Sequence, residues 1–138
     1  MTQKLKKQLQ EKIDTLLKIH QGLKKLQRLP LKDLKNEIEN VWAVSFGIVA
    51  GIEAMLDIGQ YILAERDIRA EGYGDIPGKM QEAKIISKNF AEKFKIMIGF
   101  RNRAIHNYPS LDIKQLYGIL QSDVNDFKDF IKVIKKYL

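Results

Sequence analysis

The sequence predicts an all-α fold, an antiparallel bundle of four to five helices. Three observations carry this. Apolar residues recur at three- and four-residue steps over four long stretches, the spacing that gathers them on one helix face. Only three prolines occur in 138 residues, each at the edge of a stretch and not inside one. No run alternates apolar and polar residues as a half-buried strand would. The length suits one domain, taken as residues 1–138, and is enough to bury a core without staples.

The first stretch, residues 3–27, places Leu5, Leu9, Ile13, Leu16, Leu23 and Leu26 on one face. Leu29-Pro30 closes it, because the residue before a proline is pushed out of the helical region. A longer helix is predicted from about Lys32 to Arg66. Its part Val41–Ile52 is nearly all apolar, interrupted only by Ser45. Twelve residues are too few to span a bilayer, and Glu53 and Asp57 follow, so a buried central helix is expected. Ala43, Gly47, Gly51 and Ala54 form a small-residue stripe along it. Each glycine costs roughly 1 kcal/mol of helix stability, which a close helix–helix approach offsets, within the fold or across a dimer.

Residues 70–78, AEGYGDIPG, read as a loop. A third helix is expected from near Lys79, burying Ile86, Phe90, Phe94 and Met97 or Ile98, with Pro109 as its stop. Asp112 caps a last helix, with Gln115 as its capping-box partner. Trp42, Phe90, Phe94 and Phe127 read as core, and Asp123, Asp126 and Asp129 as a solvated face.

Composition narrows the function. Hydrophobic residues make up 45% and charged residues 30%, which excludes a disordered chain. Cysteine is absent, which removes a disulfide framework, a zinc–thiolate site and a thiol nucleophile together. An intracellular, cytoplasmic protein is expected, and the basic start lacks the apolar run of a secretory signal. The net charge of +7 is unevenly spread. Residues 1–28 carry eight basic and two acidic residues, and 79–103 carry seven and two. The stretch between them, 29–78, carries four and nine. Two basic blocks around an acidic one suggest an acidic partner such as nucleic acid.

Chemistry concentrates in Gly99-Phe100-Arg101-Asn102-Arg103-Ala104-Ile105-His106-Asn107-Tyr108-Pro109. In a continuing helix, Asn102 and His106 share a face, and the Asn102 amide can orient the imidazole. Histidine exchanges a proton near neutral pH. Arginine offers phosphate a planar fork of donors and stays charged. Together they suit RNA cleavage in which the ribose 2′-hydroxyl attacks the neighbouring phosphorus. A base, an acid and a cation are needed, and no metal or other cofactor. The other histidine, His20, sits in the apolar stripe of the first helix and reads as a core or interface residue. A homodimer would supply the second catalytic imidazole as another copy of His106.

Arg101, Asn102, His106 and Tyr108 match Arg-Asn-x-x-x-His-x-Tyr, which resembles the signature of the HEPN superfamily and its HepT branch. Ala43-Val44, Glu53 and Asp57-Ile58-Gly59 resemble the family's long-helix pattern. The Phe100–Arg103 lead-in, Asp112 and the closing Tyr137-Leu138 fit as well, so the likeness covers nearly the whole chain. The resemblance implies a HEPN-like bundle and a homodimeric, metal-independent endoribonuclease. It also implies a toxin of a type VII toxin–antitoxin system, whose partner is a minimal nucleotidyltransferase. Arg101 and His106 match the catalytic pair, with Asn102 beside them. Tyr108 matches the tyrosine that the partner modifies with AMP; its other reading is packing over the next loop.

Other readings stay open. Arg101 and His106 can anchor a helix end, and Asn102 can cap it. Asp57, if buried, needs a cation, and Arg101 is the candidate, which would make Asp57 the orienting partner of that arginine. A non-catalytic domain that binds a nucleotide or substrate for a nucleotidyltransferase is the alternative function. A plain basic RNA-binding protein is a third, without a known recognition module.

Overall fold

The computed structural model describes residues 1–107 and 110–138. Helix α1 runs Gln3–Leu26. Thr2 starts it in extended geometry, and its hydroxyl accepts from the Leu5 N–H at 3.1 Å. The predicted second helix is two: α2, Leu31–Asn36, and α3, Ile38–Glu65. They part at Glu37, whose backbone is extended at φ −124° and ψ 107°. The Asn40 amide stabilises the break, donating to the Asp33 carbonyl at 3.3 Å and to Glu37 Oε2 at 3.1 Å.

The third predicted helix also divides. A short 3₁₀ turn, Tyr73–Asp75, leads into α4, Ile76–Glu82, with Pro77 in the first turn. Then α5 runs Lys88–His106, with Ser87 capping the Phe90 N–H at 3.1 Å. Lys84, at φ 61°, ends α4 in the left-handed region. Its N–H bonds Gln81 O at 2.9 Å and the next N–H, of Ile85, bonds Met80 O at 2.9 Å, the pattern of a Schellman ending. Asp67, at φ 57°, ends α3 in the same way.

The last helix starts at Asp112 as expected, its carboxylate accepting from the Lys114 N–H at 2.9 Å. It is α6, Ile113–Gly118, then a π turn, Ile119–Asp123, then α7, Asn125–Lys135. Two side-chain amides hold the turn to the end of α1. Gln27 Nε2 donates to Leu120 O at 2.8 Å, and Gln121 Nε2 to Gln27 O at 2.9 Å. Among the described residues all regular structure is helical and no strand occurs.

Helix α3 touches each of the other helices. It is antiparallel to α1: Leu23 lies on Gly47, while the Met1 amino group reaches Glu65 at 3.1 Å. A Cβ at Gly47 would stand 2.8 Å from Leu23 Cδ2, and one at Gly51 would overlap the Phe127 ring of α7. The small-residue stripe therefore serves contacts inside this chain. Helix α3 also carries an apolar window of mean hydropathy 1.7, long enough to cross a bilayer by composition. Half of that window is buried among the other helices.

Two expectations about faces fail. Trp42 is 53% exposed rather than core, because it lies on the side of α3 away from α1 and α7. Asp126 is buried, not solvated, with Lys93 Nζ 3.8 Å away. Desolvation pushes its carboxyl above the usual range, against the opposing pull of Lys93. Phe94 and Phe127 are core as expected. Phe94 meets Phe130 edge-on at 5.7 Å, and the half-buried Phe90 stacks on Phe130 at 5.9 Å. His20 is buried in α1, and burial, Lys24 and Lys128 lower its pKa.

The glycines separate two outcomes of one substitution. Gly51→Ala forces the Phe127 ring to shift and should destabilise the chain by about 1–3 kcal/mol. Gly22→Ala, inside α1 with nothing within 4 Å of the added carbon, should stabilise it by about 0.5–1 kcal/mol. Urea denaturation of the two variants checks the opposite signs.

Candidate functional site

The site forms where the C-terminal half of α5 crosses α3. Helix α5 continues unbroken through Arg101, Asn102 and His106, and Asn107 ends it, its N–H bonding Arg103 O at 2.8 Å. Arg101 faces inward, and its side chain is 16% exposed. Asn102, Arg103 and His106 are exposed.

The Arg101 guanidinium is held from three sides. Nη2 donates to Glu53 Oε1 of α3 at 3.2 Å, and Nη1 donates to Asn102 Oδ1 at 2.9 Å. The Tyr73 ring, from the turn before α4, centres 5.1 Å from the guanidinium carbon, a cation–π contact. The Nε atom is buried and finds no partner among the described residues. A guanidinium has five N–H bonds. Among the described residues one on each Nη is engaged and one on each Nη has no partner. A guanidinium held in this way keeps donors that suit a phosphate oxygen.

Two sequence expectations change here. The carboxylate that orients Arg101 is Glu53, not Asp57. Asp57 lies one turn further along α3 and faces Lys12 of α1, with Oδ2 3.9 Å from Nζ. Helix α5 crosses α3 at the level of Glu53, so Asp57 is carried past the arginine. Asn102 gives its oxygen to Arg101, so it steadies the arginine instead of the imidazole, although it shares a face with His106 as expected. Tyr108 lies outside the described residues. Glu53 stood in the quoted long-helix pattern, but pairing it with Arg101 across two helices needs the crossing point. Tyr73 was read only as part of a loop. Among the described residues no three carboxylate or imidazole side chains gather as a metal-binding group.

Beside the site the surface is apolar. Ile38, Trp42 and Phe46 of α3, spaced by four residues, are 51, 53 and 77% exposed. The same face of α3 runs on through Val49 to Glu53. Ile96 of α5 is exposed as well. A cavity of about 320 Å³ opens between α3, α5 and the π turn, lined by Ile52, Ile96, Phe100 and Asp123 among others.

This arrangement can be set beside known proteins. The mRNA nuclease HepT of Shewanella oneidensis is 29% identical over 84 residues, which is 60% of this chain. The match spans 63% of that relative's length. A structure of a tri-AMPylated HEPN toxin from the same organism, in complex with an MNT antitoxin, superposes with a TM-score of 0.86. It is 22% identical and covers 99% of both chains. The cytosolic protein YutE of Bacillus subtilis, whose function is described as unknown, superposes at 0.76 with 24% identity, over 94% of this chain and 90% of its own. These structures share the fold. The family model described as Ribonuclease HepT-like matches residues 9–134, a span that holds Glu53, Tyr73, Arg101 and His106 together; by that match the chain belongs to the ribonuclease HepT-like family.

Proposed function

We propose that the chain is a metal-independent endoribonuclease toxin that cleaves RNA by 2′-hydroxyl transesterification in the cleft of a homodimer. The observation that carries this reading is the Arg101 guanidinium, fixed by Glu53 and Asn102 on the helix that ends in His106. A neutral His106 takes the proton of the ribose 2′-hydroxyl. The oxygen attacks the adjacent phosphorus, and the bond to the 5′-oxygen breaks. An imidazolium protonates the departing oxygen, leaving a 2′,3′-cyclic phosphate and a 5′-hydroxyl. Arg101 stabilises the charge that builds on the phosphoryl oxygens between these states. Acid, base and cation all come from side chains, so the step calls for no metal.

In an in-line displacement the entering and leaving oxygens lie on opposite sides of the phosphorus, so a second imidazole serves the side that one His106 does not reach. The exposed stripe Ile38–Trp42–Phe46 supports the second copy, because apolar surface of this kind favours a protein contact. It runs along α3 toward Glu53, so a copy docked on it would bring its own Arg101 and His106 to the same cleft. For regulation, the superposed toxin is described as tri-AMPylated and bound to an antitoxin. In this chain Tyr108, two residues after His106, is the proposed acceptor from a cognate minimal nucleotidyltransferase. Adenylates on a residue so close in sequence to His106 would add negative charge and repel RNA.

Three measurements test the reading. Cleavage of a labelled RNA should persist in excess chelator. It should fall by about a hundredfold or more in His106→Ala, and expression of that variant should no longer arrest growth. Equal cleavage by both proteins would show that the activity lies elsewhere. Sedimentation should find a dimer for the native chain, and a monomer with little cleavage for Phe46→Glu. A Phe46→Glu monomer that cleaves at the native rate would remove the need for the second copy. Incubation with the cognate nucleotidyltransferase and ATP should add the mass of AMP to the native chain but not to Tyr108→Phe.

A further inference from the structure

Tyr73 belongs to a short segment, Glu71–Asp75, whose shape is set by its own bonds. The Glu71 N–H donates to Asp75 Oδ2 at 3.2 Å, and the Asp75 N–H to Gly72 O at 3.1 Å. This closure delivers the aromatic ring to Arg101, 5.1 Å from the guanidinium carbon. The contact occupies one face of the ring. Tyr73 nevertheless remains 38% exposed. Its two neighbours are Gly72 and Gly74, and nothing lies within 4 Å of where either would carry a side chain. An exposed aromatic ring thus stands next to the cation assigned to phosphate, on a segment whose flanking glycines carry no side chains beside it.

We propose that Tyr73 is a nucleobase-stacking residue, whose ring, exposed beside Arg101, takes the base of a nucleotide flanking the phosphate held by Arg101. The proposal rests on the ribonuclease reading above. Stacking needs a π face and not a hydrogen-bond pattern, so this subsite accepts any base and selects for one that is unstacked. The ligand class is therefore single-stranded RNA. With the base on one side and the guanidinium on the other, the ring sets base and phosphate at a fixed separation. The phenol hydroxyl has no part in this, so phenylalanine or tryptophan serves as well.

The test uses the native protein and short single-stranded RNAs carrying a 2′-deoxy nucleotide at the mapped cleavage position, which blocks the reaction and leaves binding measurable by fluorescence anisotropy. One RNA is otherwise intact. Others carry one abasic nucleotide, either flanking that position or at a distant one. The flanking abasic site should weaken binding at least about fivefold, and the distant one should not. Tyr73→Leu should weaken the intact RNA by a similar factor and lose little more on the flanking abasic RNA. Tyr73→Phe and Tyr73→Trp should bind as the native chain does. If the flanking abasic site costs the native chain nothing, or Tyr73→Leu weakens intact and abasic RNA equally, the ring acts only on Arg101 and the stacking role is overturned. RNA cleaved but indifferent to Tyr73 would leave the ribonuclease reading standing. RNA neither bound nor cleaved would overturn both.

Discussion

The whole architecture depends on how closely other helices can approach α3. Gly47 and Gly51 remove the side chains that would hold Leu23 of α1 and Phe127 of α7 away. The energy lost in helix propensity is regained in packing, since buried aromatic and aliphatic groups settle against bare backbone. That seating fixes α3 in the middle of the bundle and leaves α5 to cross it at the turn of Glu53. The Arg101–Glu53 pair is thus a by-product of core packing as much as of charge. A pair this exposed on the carboxylate side, 46% for Glu53, contributes little to stability. Its value lies in holding a flexible side chain in one orientation.

How much of this was legible in the sequence differs by element. The α-helical class, the buried faces of α1 and α5, the cap at Asp112 and the end of α1 before Pro30 follow from spacing and local chemistry. The helix breaks do not. Chain reversals after α3 and α4 use Asp67 and Lys84 in the left-handed region, where a glycine would have been the signal. The break at Glu37 is set by the Asn40 side chain reaching back to Asp33, an ordinary asparagine in the sequence. Trp42 reads as core because it is large and apolar, but which side of a uniformly apolar helix faces inward is a tertiary decision. At the site, residues within one helix were readable because i to i+4 geometry is local. Partners from other helices were not: Asp57 and Glu53 are equally plausible until the crossing point of α5 is known, and Tyr73 belongs to a segment with no periodicity to interpret.

Charge along the chain takes on a different meaning once folded. The acidic block includes Glu53, and the second basic block ends in Arg101 and Arg103. Folding sets one against the other, so the most buried cation of the site is already partly neutralised. Phosphate recognition would then rest less on net field than on the geometry of the two remaining N–H donors and the residues that hold them. Arg103 and the lysines of α5 stay exposed, where they add positive charge to the surface around the site.

The π turn between α6 and α7 has an angular consequence. An α-helix advances about 100° per residue, so one residue more or less turns everything downstream by that amount. The Val124 N–H reaching back five residues to Ile119 O absorbs such a residue without interrupting the rod. The amides of Gln27 and Gln121 hold it at that place. The rod therefore behaves as a shaft with a built-in phase offset. Its first part presents Leu116 and Leu120 to the core, and its second presents Phe127 to the gap left by Gly51.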